Sequence, residues 1–454
     1  MVMVAVVAFA RSAASKGSDA PDPGRVSDAP VASTPVLSAR RAPEPLVVAA
    51  RGTRLAASLR KVTDAVQKSA CLQVAVNGRV VVSDNAESVF IPASNQKILV
   101  ASVALAVLGP DYRFVTEVRG NIAEDGSVSR LVLVGGGDPL LSTDRYPRLG
   151  LNQYPPTDIT RVELLADAVV KKGVKRVTTL VGDESRFDSK REAPGWVNAI
   201  GRGDAAPLSA LMINDGYVGT DRTRRPSTAR GAAEVFRNLL MARGVDVGPA
   251  VDGSARDVPL IASIKSQPLS EIVGEMLATS DNNTAELLLK EIGKQAGTGG
   301  STSAGAKVVR STLTEWGIDL TGHEIVDGSG LSESDRVSCA TLVTLLSREP
   351  VGSPMFEGMA IAGRKGTLAD YLEGTAADGV MRAKTGSLQL SRSLSGYFPT
   401  SDGSVIQFSF IVNGSRAKNR AENLWDDLAK GLSTYPQGPS LEGLGPAPVL
   451  LPDE

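Results

Sequence analysis

The stretch Ile91-Pro92-Ala93-Ser94-Asn95-Gln96-Lys97-Ile98-Leu99-Val100 decides how this chain of 454 residues is read. A serine is followed three residues later by a lysine, at the head of an apolar run that continues to Leu108. Residues i and i+3 share a helix face, so the Lys97 amine is placed beside the Ser94 hydroxyl. A run that is apolar nearly all round reads as a helix buried within a larger domain. Serine is a poor nucleophile until a base takes its proton, so a serine and a lysine at a buried helix start predict an activated nucleophile.

Composition narrows the choice of base. The chain has one histidine, His323, in the polar loop Thr321-Gly322-His323-Glu324, where it reads as structural. It has two cysteines, Cys71 and Cys339, far apart in sequence. A His/Cys zinc centre needs three or four such ligands together, and no carboxylate motif points to another metal. No metal and no cofactor are expected, and the general base is a Lys, Asp or Glu. A net charge of -1 and 4% aromatic residues exclude an electrostatic or base-stacking surface for nucleic acid. The cysteines read as buried free thiols, with a disulfide as the alternative in an exported protein.

Upstream, Met1 to Ala10 is an apolar run of ten ending in Ala8-Phe9-Ala10. It reads as a partial signal segment, far short of a bilayer span; a fortuitous apolar start is the other reading. Residues 11–46 are rich in Ala, Ser, Pro and Asp and read as a disordered linker, and residues 436–454 as a flexible tail. The protein is therefore expected to be exported to a periplasmic or cell-wall space, with membrane contact only through its N-terminus. Its oligomeric state is left open.

The length suits two or three domains. Asn77-Gly78 between two apolar runs predicts a hairpin just before the Ser94 helix. From Tyr112 strand-like runs alternate with loops and two helices, Val162 to Lys172 and Ala232 to Arg243. From Leu269 the chain is helical again, and it closes with three strands, at 381–388, 393–398 and 405–412, and a helix, Arg416 to Leu432. This divides the chain into a catalytic body, 47–111 plus 262–435, and inserted material, 112–261.

Three short motifs occur in order: Ser94-x-x-Lys97, Ser280-Asp281-Asn282 and Lys384-Thr385-Gly386. Each alone is weak, since Ser58-x-x-Lys61, Ser415-x-x-Lys418 and Ser83-Asp84-Asn85 repeat the first two in polar stretches or in the wrong order. Together they form the signature of penicillin-binding proteins and serine β-lactamases. Ser94 is expected to form an acyl-enzyme with Lys97 as base. Ser280 bridges the two lysines and relays a proton to the leaving amine. Asn282 holds the Lys97 amine and donates to a substrate amide. Lys384 and Thr385 meet a substrate carboxylate, Gly386 lets a backbone approach closely, and Ser387 joins Ser94 in an oxyanion hole.

Ser94 and Ser280 are 186 residues apart, and Ser280 and Lys384 are 104 apart. With that spacing the chain resembles the class C low-molecular-mass penicillin-binding proteins, the D-alanyl-D-alanine carboxypeptidase/endopeptidase family. Stretches Gly135 to Leu140, Gly182 to Phe187, Leu208 to Asp215, Asp327 to Ser332 and Gly366-Thr367-Leu368 are similar too. The resemblance implies an α/β (α+β) transpeptidase-like fold. Its antiparallel sheet is flanked by helices, and the long first interval is a mostly β insert. It also implies a serine D,D-carboxypeptidase acting on peptidoglycan stem peptides, with D,D-endopeptidase action as a second activity and β-lactams as covalent inhibitors. The rival readings are a serine β-lactamase and a non-catalytic sensor of muropeptides or β-lactams.

Overall fold

A computed structural model describes residues 43–151, 154–219, 223–255 and 257–438. The expected signal segment at 1–10, most of the linker and most of the C-terminal tail lie outside the described residues. The linker is shorter than read, because a helix, Pro43–Ser58, starts inside it. Proline early in a helix is favourable, since its missing N–H has no intrahelical partner to lose.

The hairpin forms as expected. Asn77 and Gly78 have φ of 47° and 78°, the left-handed pair that a two-residue turn needs. Its strands, Ala70–Val76 and Arg79–Asp84, end a six-stranded antiparallel sheet. The order runs Ala360–Ile361, Arg382–Leu388, Ser391–Pro399, Val405–Asn413, Ala70–Val76, Arg79–Asp84. The start and the end of the body are thus joined through one ladder, Ala70–Val76 against Val405–Asn413.

All of Ala70–Val76 is buried, because helices cover both faces of the sheet. Leu72 and Val74 pack with Leu55, Leu59 and Val62 and with Trp425, Leu428 and Leu432 of the closing helix, Ala417–Leu432. Cys71, pointing the other way, joins a core built from the helices Gln96–Leu108, Leu269–Thr279, Asn282–Gln295 and Cys339–Arg348. Each fully buried Leu or Val contributes about 1.5–3 kcal/mol.

The same alternation corrects the reading of the cysteines. Cys71 faces the helix that begins at Cys339, and the two form a disulfide with Cα atoms 6.1 Å apart. Strand parity and the helix start bring together residues that are 268 apart in sequence.

The inserted region has a second sheet, in the order Ala250–Asp252, Arg176–Asp183, Ser127–Val134, Val115–Arg119, Leu260–Lys265. Arg176–Asp183 pairs in parallel with both its neighbours. Parallel neighbours need a crossover, and the helices Val162–Lys171 and Thr228–Met241 supply the two crossovers. They pack on the sheet around Leu131, Leu165, Leu180 and Phe236, a core of its own. The strand Leu260–Lys265 carries this sheet a few residues past the expected return at 262.

Candidate active site

Ser94 sits on a turn clamped from two sides. Ala93 has φ 49°, and Ala93–Asn95 forms a single 3-10 turn that leads into Gln96–Leu108. Serines of the strand Ser391–Pro399 fasten it. Ser391 Oγ donates to the Ile91 carbonyl at 2.6 Å, Ser393 Oγ to the Pro92 carbonyl at 2.7 Å, and Asn95 Nδ2 donates to Ser395 Oγ at 2.7 Å. Two glycines permit the closeness. A Cβ on Gly386 would lie 2.2 Å from Ser393 Oγ and 2.8 Å from the Pro92 oxygen, and one on Gly330 would lie 1.9 Å from the Ala93 oxygen. Gly386 therefore lets its strand approach the nucleophile's turn, where the sequence suggested room for a ligand.

Lys97 is fully buried. Its Nζ donates to Asn282 Oδ1 at 2.7 Å and to the Ser329 carbonyl at 2.6 Å, and lies 3.0 Å from Ser94 Oγ. Asn282 Nδ2 donates to the Asp204 carbonyl at 2.7 Å, which fixes Oδ1 towards the lysine. Both partners are pure acceptors. A neutral amine has two N–H bonds and one lone pair, so with both N–H bonds taken the lone pair is left for the Ser94 hydroxyl. Burial lowers the Lys97 pKa to about 8, opposed by the carboxylates of Asp327, Asp281, Glu286 and Asp335.

Ser280 ends the helix Leu269–Thr279 in the left-handed region, with φ 64°. Such strain at a serine marks a side chain aimed by its surroundings. Asp281 then caps the helix Asn282–Gln295, accepting from the Thr284 N–H at 2.6 Å. Ser280 Oγ accepts from Lys384 Nζ at 2.8 Å, and Lys384 also donates to the Thr385 carbonyl at 2.7 Å. Lys384 is fully buried, and its pKa is held well below the usual value by burial, then by Lys97 and Arg392. The expected bridge is only half present, because Ser280 bonds Lys384 while the Lys97 amine is taken by Ser94, Asn282 and Ser329. The Asn282 amide, expected to meet substrate, is engaged by Asp204.

The strand carrying Lys384 leaves an open edge. Ala360–Ile361 meets this strand only at Ala383 and Arg382, so among the described residues the edge from Lys384 to Leu388 away from Ser391–Pro399 has no strand partner. Thr385 Oγ1 donates to Thr367 Oγ1 at 2.8 Å. A cavity of about 390 Å³ is lined by Ser94, Ser280, Asn282, Thr367 and Ser387, with Asp215 and Arg224 from the insert. Such an edge takes up an extended peptide by main-chain hydrogen bonds. Among the described residues no group of His, Cys, Asp or Glu is placed to hold a metal.

Sequence reading singled out Gly366-Thr367-Leu368 without giving Thr367 a role, and it missed the Ser329 carbonyl, the Asp204 carbonyl and Glu286. The stretch Asp327 to Ser332, picked out in the sequence for its family likeness, reaches the lysine through its backbone. His323 is structural as read, with Nε2 2.9 Å from Thr341 Oγ1.

The structure sets Ser94 beside the buried Lys97 amine and Ser280 beside Lys384 in one cleft along an open strand edge, the arrangement expected of the penicillin-recognising active-site serine enzymes. Residues 54–228 and 222–434 match the D-Ala-D-Ala carboxypeptidase 3 (S13) family, and the chain belongs to it. It is a serine-type D-Ala-D-Ala carboxypeptidase by that membership. It is 33% identical over 341 residues to carboxypeptidase DacB of Mycolicibacterium smegmatis, with 72% of each chain covered. It is 30% identical over 467 residues to a D-alanyl-D-alanine carboxypeptidase of an Actinomadura strain, covering 82% of this chain and 83% of that one. Among solved structures, penicillin-binding protein 4 (dacB) of Haemophilus influenzae superposes with a TM-score of 0.68 at 20% identity, covering 82% of this chain and 99% of that one. That likeness shows the shared fold, and the same Haemophilus protein has also been solved with a β-lactam.

Proposed function

We propose that Ser94 attacks the carbonyl carbon between the last two residues of a D-Ala-D-Ala-ended peptidoglycan stem peptide. The observation that carries this reading is the Lys97 amine, 3.0 Å from Ser94 Oγ with its other two positions filled by acceptors. Lys97 takes the hydroxyl proton as the Oγ–C bond forms. The N–H groups of Ser94 and Ser387 receive the oxyanion, and each such donor contributes about 3–4 kcal/mol to the transition state. The peptide lies along the open edge at 384–388, with its terminal carboxylate against Lys384 and Thr385. Ser280, bonded to Lys384, hands a proton to the leaving amine, and D-alanine departs. Water then cleaves the acyl-enzyme and restores Ser94. A D,D-cross-link presents a bond of the same stereochemistry, so endopeptidase action follows from the same centre.

A β-lactam resembles the reacting peptide and acylates Ser94. The chain has no Glu-x-x-Leu-Asn segment of the kind that drives deacylation in class A β-lactamases, so release of the drug is slow. We place the enzyme outside the cytoplasm, a reading supported by the Cys71–Cys339 disulfide. The test is labelling with a fluorescent penicillin beside release of D-alanine from a D-Ala-D-Ala peptide. A stable label on wild type, absent in Ser94→Ala, with D-alanine released, is expected. Rapid turnover of a chromogenic cephalosporin would favour a β-lactamase, and binding without D-alanine release a sensor.

A further inference from the structure

One turn below Asn282 on the same helix lies Glu286, wholly buried. Its Oε1 accepts from the N–H groups of Gly328 and Ser329, each at 2.9 Å. The carbonyl of that same Ser329 accepts from Lys97 Nζ at 2.6 Å. Asn282 and Glu286 therefore reach the lysine from one helix face by two arms, one direct and one through the loop. The loop is pinned further by Asp327. Its Oδ1 accepts from Gly330 N at 2.6 Å, and its Oδ2 from Trp196 Nε1 and Ser332 N, each at 2.9 Å.

We propose that Glu286 is a positioning residue for acylation: by holding the Gly328 and Ser329 amides on one oxygen it aims the Ser329 carbonyl at Lys97 and so turns the lysine lone pair onto Ser94. The reading rests on Lys97 as the base. Two hydrogen-bond acceptors are needed to fix the rotation of an amine. Without the Ser329 carbonyl in place, one N–H of Lys97 is free to swing towards Ser94, and the lone pair swings away. Nothing in this step consumes or supplies a proton at Glu286.

The charge state of Glu286 supports the same role. Its other oxygen, Oε2, is buried without a partner, an unsuitable place for a full negative charge. Burial and the neighbouring Asp327 raise its pKa. The charged groups that face it are Asp327 of the loop and, across the loop, Lys97, on which Asp281 and Asp335 also act. The Asp335 carboxyl is raised too, by burial and then by Asp327. An ionised Glu286 would hold the proton on Lys97, whereas a neutral one leaves the base labile. What the site uses is thus an acceptor oxygen, which a glutamine also offers.

The test is the acylation rate of Glu286→Gln and Glu286→Ala with a fluorescent penicillin, per titrated active site, followed from pH 6 to 9 beside circular dichroism. Glu286→Gln is expected within about threefold of wild type, with the pH midpoint of acylation unchanged or lower. Glu286→Ala is expected to acylate about tenfold or more slowly, with a smaller change in the affinity of the first encounter. A purely structural role would lower the fraction of active enzyme and leave the rate per site untouched, which would overturn the proposal. So would a folded Glu286→Gln as slow as Glu286→Ala. Where Glu286→Ala does not fold, Glu286→Gln alone decides. Failure of the lysine-base reading is separate, because it flattens the pH profile of wild type itself.

Discussion

The rate at which Ser94 is acylated should follow the protonation of Lys97. Only the neutral amine accepts the serine proton, and burial sets its pKa at about 8. A base with that value is neutral in about one molecule in a hundred at pH 6, about one in eleven at pH 7 and about nine in ten at pH 9. The second-order acylation constant should rise about tenfold per pH unit below the midpoint and about ninety-fold in all from pH 6 to 9. Lys384 titrates in the opposite sense for function. Burial, then Lys97 and Arg392, hold its pKa well below the usual value, and losing its proton removes the cation that the proposed mechanism sets against the substrate carboxylate. His323 does not compete, since it is bonded to Thr341 away from the cleft. Stopped-flow acylation by a fluorescent penicillin measures the profile. Lys97→Arg supplies the control: a guanidinium keeps its proton, and the loss should be about 100-fold to 10,000-fold. A constant rate from pH 6 to 9, or a Lys97→Arg enzyme that acylates at the wild-type rate, would refute the base assignment.

Other consequences can be measured in the same preparations. Gly386→Ala forces a Cβ to within 2.2 Å of Ser393 Oγ, so its strand must move off the Ser94 turn; acylation should fall at least about tenfold, and adding Ser393→Gly should restore part of it. Arg186→Ala leaves the buried Glu291 carboxylate, which it grips by two nitrogens at 2.5 and 2.8 Å, without its cation; chemical denaturation should show a loss of about 3–5 kcal/mol. Cys71→Ala with Cys339→Ala opens a loop of 268 residues; stability should drop by about 2–5 kcal/mol in denaturant titrations, while the acylation rate per folded molecule is kept.

The motifs were legible because side chains carry their chemistry in their names. Ser94, Lys97, Ser280, Asn282 and Lys384 were each singled out by type, order and context, and the structure brings them into contact in one cleft; the hairpin was marked by Asn77-Gly78. What escaped has no such label. The Ser329 and Asp204 carbonyls act through backbone, and any residue type would offer the same oxygen. Glu286 looked like one more glutamate in Asn282–Gln295; only its spacing of four from Asn282, on a face with Ala285 and Leu289 buried, hinted at a buried role. The cysteine pair depended on strand parity and on where a helix starts, which a sequence separation of 268 conceals. Parallel pairing around Arg176–Asp183 was hidden for a related reason: a strand's residues do not declare the direction of its neighbour.

The disulfide also changes what kind of object the chain is. Covalently it is a ring, from Cys71 round to Cys339, with an arm at each end. The ring carries Ser94, Lys97, Ser280 and Asn282, and one arm carries Lys384 and Thr385. One broken peptide bond anywhere in the ring releases nothing, because both sides of the break stay tied through sulfur. Val197, 73% exposed on the insert, marks a place where a protease would find the backbone. An enzyme cut there once remains a single molecule with Ser94 and Lys97 still held together, and it takes reduction as well as a cut to let the two pieces part.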